Sequence, residues 1–316
     1  MAATVLFDPA YTGVIQYPGY VNTYDKSMDK YLEVSARVPL VNGQFFTEDE
    51  VDNMTPKLGT WNSELKTPGI SEDTELLPME QPAGGRSKEG EIDTLRVATR
   101  ITRTMERIDR SGKIRQMAMA GLPNSGKRYM ELKMANVFNT GTATEGADGS
   151  NIWANDHIHD DASGGTWSNY ETAAALTSTT YNTMRVSMRK RTSTKGYVSP
   201  IVLKQLMVPP DLEEKARQIQ SSNLKPENSL NQKNVWEGKF DIIVNDYLTD
   251  TNGWWGIGDL PEAMWGLHVA YLERFSVMSL PYPTADYPDI VAGWRLRGQV
   301  DVFASVAYNV HHNIGA

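Results

Sequence analysis

Cysteine is absent from the 316 residues, which removes disulfide frameworks, thiolate zinc sites, iron–sulfur clusters and cysteine nucleophiles at once. No apolar run reaches the ~18 residues that a membrane-crossing helix needs, so no membrane partner is expected. The opening MAATVLFDPAYTG lacks the basic start and apolar stretch of a signal peptide and the basic amphipathic character of a transit peptide. Synthesis in a cytoplasm is the expectation. Basic charge is in deficit, 31 Lys and Arg against 39 Asp and Glu for a formal charge of -8, and no known DNA- or RNA-binding motif compensates for it. What the chain does have is length. A compact chain of this size buries roughly three quarters of its unfolded surface, so it needs no disulfide or metal to hold a core.

From Met1 to about Met54 the sequence is rich in Tyr, Asn and Pro, without a sustained apolar period of two or 3.6. That pattern predicts an extended, irregular arm that must lie on other surfaces. Lys57 to Glu91 carries Pro68, Pro78, Pro82 and several glycines, and Ser71 to Glu91 holds six acidic residues against two basic. A loop longer than ~12 to 15 residues is uncommon inside a compact domain. It leads into a strand in which Leu95, Val97 and Ile101 alternate with Arg96, Ala98 and Arg100, so a projecting β-ribbon is expected.

Charge then reverses. Between Arg100 and Lys133 stand nine basic residues and three acidic ones, on a pattern that predicts two helical pieces, with Ile114 and Met117, then Met130, Met134, Val137 and Phe138, separated by a kink at Gly121–Gly126. A further helix is predicted after a cap at Ser168 or Asn169, through Ala173, Leu176, Thr180, Met184 and Met188, closed by Arg185, Arg189, Lys190 and Arg191. Strands are expected at Tyr197–Val208, Phe240–Val244 and Gly266–Leu272, with a helix opened by Pro209-Pro210-Asp211 between the first two. The cleanest alternation comes last: Trp294, Leu296, Val300, Val302, Ala304, Val306, Tyr308 and Val310 share one face, predicting a single strand roughly 50 Å long. The fold class is α+β.

Sites of chemistry are few. Gly121-Leu-Pro-Asn-Ser-Gly126-Lys127 fits the phosphate-cradling pattern, but Arg128 stands where a magnesium-binding Ser or Thr belongs and no strand precedes it. Asp156-His157-Ile158-His159-Asp160-Asp161 has the donors for a divalent metal, yet no third histidine completes a recognisable spacing. A helix kink outweighs the first and a solvated polar loop the second, no G-x-S-x-G elbow is present, and the expectation is no catalytic residue, no metal and no cofactor.

The order of parts, with the residues Val137-Phe138-Asn139, Asp148-Gly149, His157, Lys195-Gly196-Tyr197-Val198-Ser199-Pro200, Leu206 to Glu213, Ala216, Val235 to Val244, Tyr247 to Asp250 and Trp254 to Asp259, resembles the tailed-bacteriophage major capsid proteins of the Hong Kong 97 type, and Mu-like head subunits in particular. The likeness spans roughly Thr94 to Asp259. It implies a non-enzymatic shell protein with an N-terminal arm (1–56), an extended ribbon loop (57–98), a peripheral domain with a spine helix (99–164 and 284–316) and an axial domain (165–283). It implies hexamers and pentamers of the chain itself, a portal protein, separate scaffolding and decoration proteins, and packaged double-stranded DNA bound without sequence preference. The expected location is the virion, with host cytoplasm during assembly. An encapsulin-like compartment shell is the alternative. Within this reading the ribbon acids Glu72, Asp73, Glu75 and Glu80 are expected to meet Arg103, Arg107, Arg110 and Lys113 across subunits.

Overall fold

The computed structural model describes residues 41–59, 86–108, 113–158, 165–172, 174–192, 198, 200–225, 232–260, 265–284 and 286–315. In chain order these form β1 (Thr47–Glu50), β2 (Lys57–Gly59), β3 (Ser87–Glu89), β4 (Asp93–Thr102), helices α1 (Arg103–Ile108) and α2 (Lys113–Thr140), and the short strands β5 (His157–Ile158), β6 (Thr166–Trp167) and β7 (Tyr170–Glu171). Helix α3 (Ser178–Arg189), β8 (Val202–Val208), α4 (Glu213–Ser221), β9 (Asp241–Val244), β10 (Trp254–Asp259), β11 (Leu267–Ser279), β12 (Ile290–Ala304) and β13 (Val310–Asn313) follow. Two sheets organise them. One has the order β1-β11-β12-β4 and the other β7-β13-β10-β8-β9.

Helix α2 lies on the four-stranded sheet against β12 and β4. Among its buried residues, Leu122, Gly126, Met130, Met134, Val137 and Phe138 step by four, four, four, three and one, a helical stripe. The kink expected at Gly121–Gly126 is therefore absent: 28 residues run as one helix with Pro123 inside it. Packing outweighs the local cost. Leu122 joins Ile101, Trp294 and Leu296 in one apolar cluster, and Gly126 sits so close to β12 that a Cβ there would stand 2.9 Å from Leu296 Cδ2. The phosphate-loop pattern is thereby helix, not a loop with free amides.

Three other expectations are corrected. The arm predicted to run irregularly to Met54 has joined the body by Val41: Phe45 and Phe46 are buried and β1 pairs in parallel with β11. The alternating strand expected in the ribbon is β4, and its ladder with β12 places Asp93 to Thr102 in the main sheet; of the ribbon segment, β2 and β3 form a separate pair, with residues 60–85 between them outside the described set. The long final strand is two. After β12 the chain turns through Ser305 to Asn309, where the Tyr308 amide donates to the Val306 carbonyl, and β13 enters the other sheet beside β10. Consecutive burial of Ala304, Ser305, Val306 and Ala307 breaks the alternation that a straight strand requires. The segments expected as 165–283 and 284–316 thus exchange strands, since β11 pairs with β12 and β13 with β10.

Helix α3 starts later than expected. Thr177 caps it, accepting from the Thr180 amide at 3.1 Å while the Thr177 amide donates to Thr180 Oγ1 at 2.9 Å, a reciprocal box. Tyr181, Met184 and Met188 then point inward against β8 and β10. Strands β8 and β9, and the Pro210–Leu212 turn leading into α4, fall where the pattern puts them.

A continuous α2 makes Gly121 an exposed helix-interior glycine with nothing within 4 Å of where a Cβ would stand. Gly121→Ala is expected to stabilise the chain by about 1 kcal/mol in chemical denaturation; destabilisation would show that the helix needs a glycine-dependent bend.

Candidate assembly surfaces

The surfaces this chain offers depend on how the two sheets are fixed to each other, and two buried polar junctions fix them. The first lies where the chain enters the body. Asn42, fully buried, donates its backbone N–H to Glu131 Oε2 at 3.3 Å and its Nδ2 to the same oxygen at 2.7 Å. Its Oδ1 accepts from Asn245 Nδ2 at 2.7 Å. One asparagine therefore ties helix α2 to the loop after β9. Burial raises the Glu131 carboxyl above its ordinary range, and the Asn42 hydrogen bonds offset part of that rise.

A second junction surrounds the turn from β12 to β13. Arg191, expected to face solvent at the end of α3, is buried instead. Its guanidinium donates to the carbonyls of Tyr308, Val310 (3.3 Å) and Ser168 (3.2 Å), and to His311 Nδ1 at 2.9 Å. Guanidinium can only donate, so that imidazole nitrogen is the bare one and His311 is neutral. Burial first, then the nearby Arg191 charge, push His311 well below its ordinary range. His312 lies flat on Trp255, ring centroids 4.4 Å apart, and burial pulls it down to about 4.

His157, one of the metal candidates, belongs to the same junction. Its Nδ1 lies 2.6 Å from Asp148 Oδ2 and its Nε2 3.0 Å from Asn169 Oδ1. Asn169 is oriented by donating to the Ile152 carbonyl and accepting from the Ala154 amide, so both imidazole nitrogens face acceptors. Burial pushes Asp148 up, but His157 hydrogen bonding and charge hold it below its ordinary value. Trp167 stacks on His157 at 4.3 Å and on Tyr308 at 4.5 Å. Among the described residues no group of three His, Cys, Asp or Glu is arranged to hold a metal ion, and His159 to Asp161 lie outside them. No described helix is long and apolar enough to cross a membrane.

Of the charges expected to meet across subunits, Glu72, Asp73, Glu75, Glu80 and Arg110 lie outside the described residues. Arg103 and Arg107 sit on α1, the first half-buried and the second exposed, and the Arg103 amide donates to the Asp289 carbonyl. Lys113 opens α2. Neighbouring Arg115 pairs with Glu106 inside the chain. Sequence reading missed Asn42, Glu131, Arg191, Asn169 and Asn245 as joints, because single polar residues carry no periodic signal and their partners lie up to 203 positions away.

Comparison with known proteins gives two findings. A family model described as phage capsid protein matches residues 87–315, a span that contains α2, the whole five-stranded sheet and the four-stranded sheet apart from β1. Among solved structures, the Cyanophage Pam1 capsid aligns with a TM-score of 0.56 at 7% identity over 88% of this chain and 92% of that one. The capsid of Ralstonia phage GP4 gives 0.54 at 11% over 86% and 87%, and the procapsid of bacteriophage JBD30 gives 0.50 at 11% over 93% and 75%. These likenesses show the fold. No curated protein sequence matches the chain.

Neutral, buried His312 makes stability depend on pH. Its folded value of about 4 lies below the ~6.5 of an unfolded histidine, so the unfolded state binds the extra proton and stability falls as pH drops from ~6.5 towards 4. Between pH 7.5 and pH 5 the chain is expected to lose about 2 kcal/mol more in urea denaturation than His312→Phe does, at roughly 1.4 kcal/mol per pH unit. Equal losses would place His312 in water.

Proposed function

We infer that this chain, which belongs to the phage capsid protein family, works as a tailed-phage major capsid protein of the Hong Kong 97 type. The family match across residues 87–315 carries this reading, because it covers the long helix and every strand of both sheets except β1 rather than one shared motif. Its task is assembly, without a catalytic step. Copies associate into hexamers and pentamers that close into an icosahedral head around double-stranded DNA. Each contact is weak alone and is repeated by symmetry, so closure supplies the stability that no single pair has.

Partners follow from that role: a portal protein at one vertex, scaffolding and decoration proteins encoded separately, and DNA held without sequence readout. The protein acts in the virion, after assembly in host cytoplasm. The ribbon acids Glu72, Asp73, Glu75 and Glu80 reach Arg103, Arg107, Arg110 and Lys113 of a neighbouring copy. The phage family match favours this head over the encapsulin-like compartment.

Purified protein at rising concentration, followed by size-exclusion chromatography and electron microscopy, is expected to give rings or closed shells, with scaffolding protein added if the chain alone stays small. A monomer under all these conditions would contradict the reading. The triple variant Arg107→Glu, Arg110→Glu and Lys113→Glu should keep the folded monomer and lose shells; normal shells would refute the ribbon contact.

A further inference from the structure

The four-stranded sheet carries opposite charges at two diagonal corners. At one edge, β1 and the residue pair after it hold Glu48, Asp49, Glu50 and Asp52 without a basic residue, and the Val51 amide continues the pairing by donating to the Tyr271 carbonyl. Arg274 of β11 bridges Glu48 and Glu50 at 3.0 Å each, and His268 stands 3.4 Å from Asp49. Those two groups leave the corner acidic, with Asp52 exposed and meeting no basic group among the described residues.

At the other edge β4 presents Arg96 and Arg100, both exposed, and α1 continues it with Arg107. The acids nearby are already engaged: Asp93 with Lys133 at 3.3 Å and Glu106 with Arg115. Arg96 faces Arg297 directly across the β4–β12 ladder, a like-charge pair that costs stability unless neutralised. Glu273 neutralises Arg297 at 3.1 Å. For Arg96 and Arg100 no carboxylate of the same chain lies within ion-pair distance among the described residues. Exposed Met105 follows on α1, adding apolar surface of the kind that interfaces mix with arginine.

Register fixes the diagonal. Glu50 pairs with Tyr271, which pairs with Val300, whereas Arg96 and Arg100 pair with Arg297 and Gly293. The two corners are thus three to seven residues apart along β12 and on opposite edges, on the order of 10 to 23 Å along the strand at ~3.3 Å per residue.

We propose that the basic corner at Arg96 and Arg100 docks on the acidic corner at Glu50 and Asp52 of a second copy of this chain. The inference rests on the capsid reading and names the contact within it. Because the corners lie on opposite edges of the sheet, a two-fold edge-to-edge contact would set acid against acid or base against base, so the charges oppose that dimer and favour a head-to-tail contact. Head-to-tail contacts generate rings when the rotation closes. This contact uses residues other than the ribbon acids.

The test uses three full-length chains: Arg96→Glu with Arg100→Glu, Glu50→Lys with Asp52→Lys, and the chain carrying all four changes. Light scattering and electron microscopy are expected to show shells lost in each two-residue variant and recovered in the four-residue swap. Ribbon acids cannot produce that recovery, since they are unchanged. Shells in either two-residue variant at normal yield, or a folded four-residue swap that stays dispersed, would overturn the proposal. If a charge reversal unfolds the chain, Arg96→Gln with Arg100→Gln serves instead. Its assembly rate should depend less on salt than that of the unaltered chain, and an unchanged salt dependence would overturn the proposal. Failure of the unaltered chain to assemble, with or without scaffolding, would instead strike the capsid reading itself.

Discussion

Phe138 is the joint on which the body depends. It lies near the end of α2, is 1% exposed, and meets four other aromatic rings. Phe45 and Phe46 approach it edge-on at 6.3 and 6.0 Å, Trp153 stacks at 6.0 Å and Trp255 is edge-on at 6.1 Å. Those rings come from the entering segment, the loop after α2 and the five-stranded sheet, while the helix itself lies on the four-stranded sheet. Truncating such a ring costs about 3 to 5 kcal/mol. A single side chain therefore couples the parts whose relative placement sets every outer surface.

The polar junctions add direction to that apolar joint. Apolar contact is non-directional, and two sheets greased together can slide. Arg191 reaches both Ser168 and the Tyr308–Val310 stretch, so α3, the loop before β7 and the turn between the sheets share one set of donors. Burying a guanidinium is costly unless its hydrogen bonds are made, and the penalty for a wrong arrangement is correspondingly large. Asn42 does the same with neutral groups between α2 and the loop after β9. The result suits a subunit whose small contacts are multiplied by symmetry, since an error in sheet angle would be multiplied with them.

Much of the architecture was legible in sequence, and its limits have physical causes. Strand β8, the Pro210 helix start and the alternation of β12 are local signals and were readable as such. The kink at Gly121–Gly126 was a fair inference from propensity, and it failed because Gly126 is small for the sake of β12, a contact 170 positions away in the chain (Leu296). The final strand was read through its turn because Val306 and Val310 keep the alternating parity although the chain changes sheets between them. Arg191 looked like a helix-end charge, and only the carbonyls of residues 308 and 310 reveal it as a buried clasp. The charged corners combine local composition, visible in TEDEVD, with a strand order that no local pattern encodes.

The proposed contact between the charged edges of the four-stranded sheet is useful only if the two sheets behave as one piece. Native-state hydrogen exchange of the monomer measures this most directly. If Phe138 and the two junctions couple the sheets, the slowest amides of β12 and of β10 exchange with the same free energy, through global unfolding, and Phe138→Ala lowers both by the same amount. Amides of β10 and β13 that open well below those of β12, or a Phe138→Ala effect confined to one sheet, would contradict a single cooperative body.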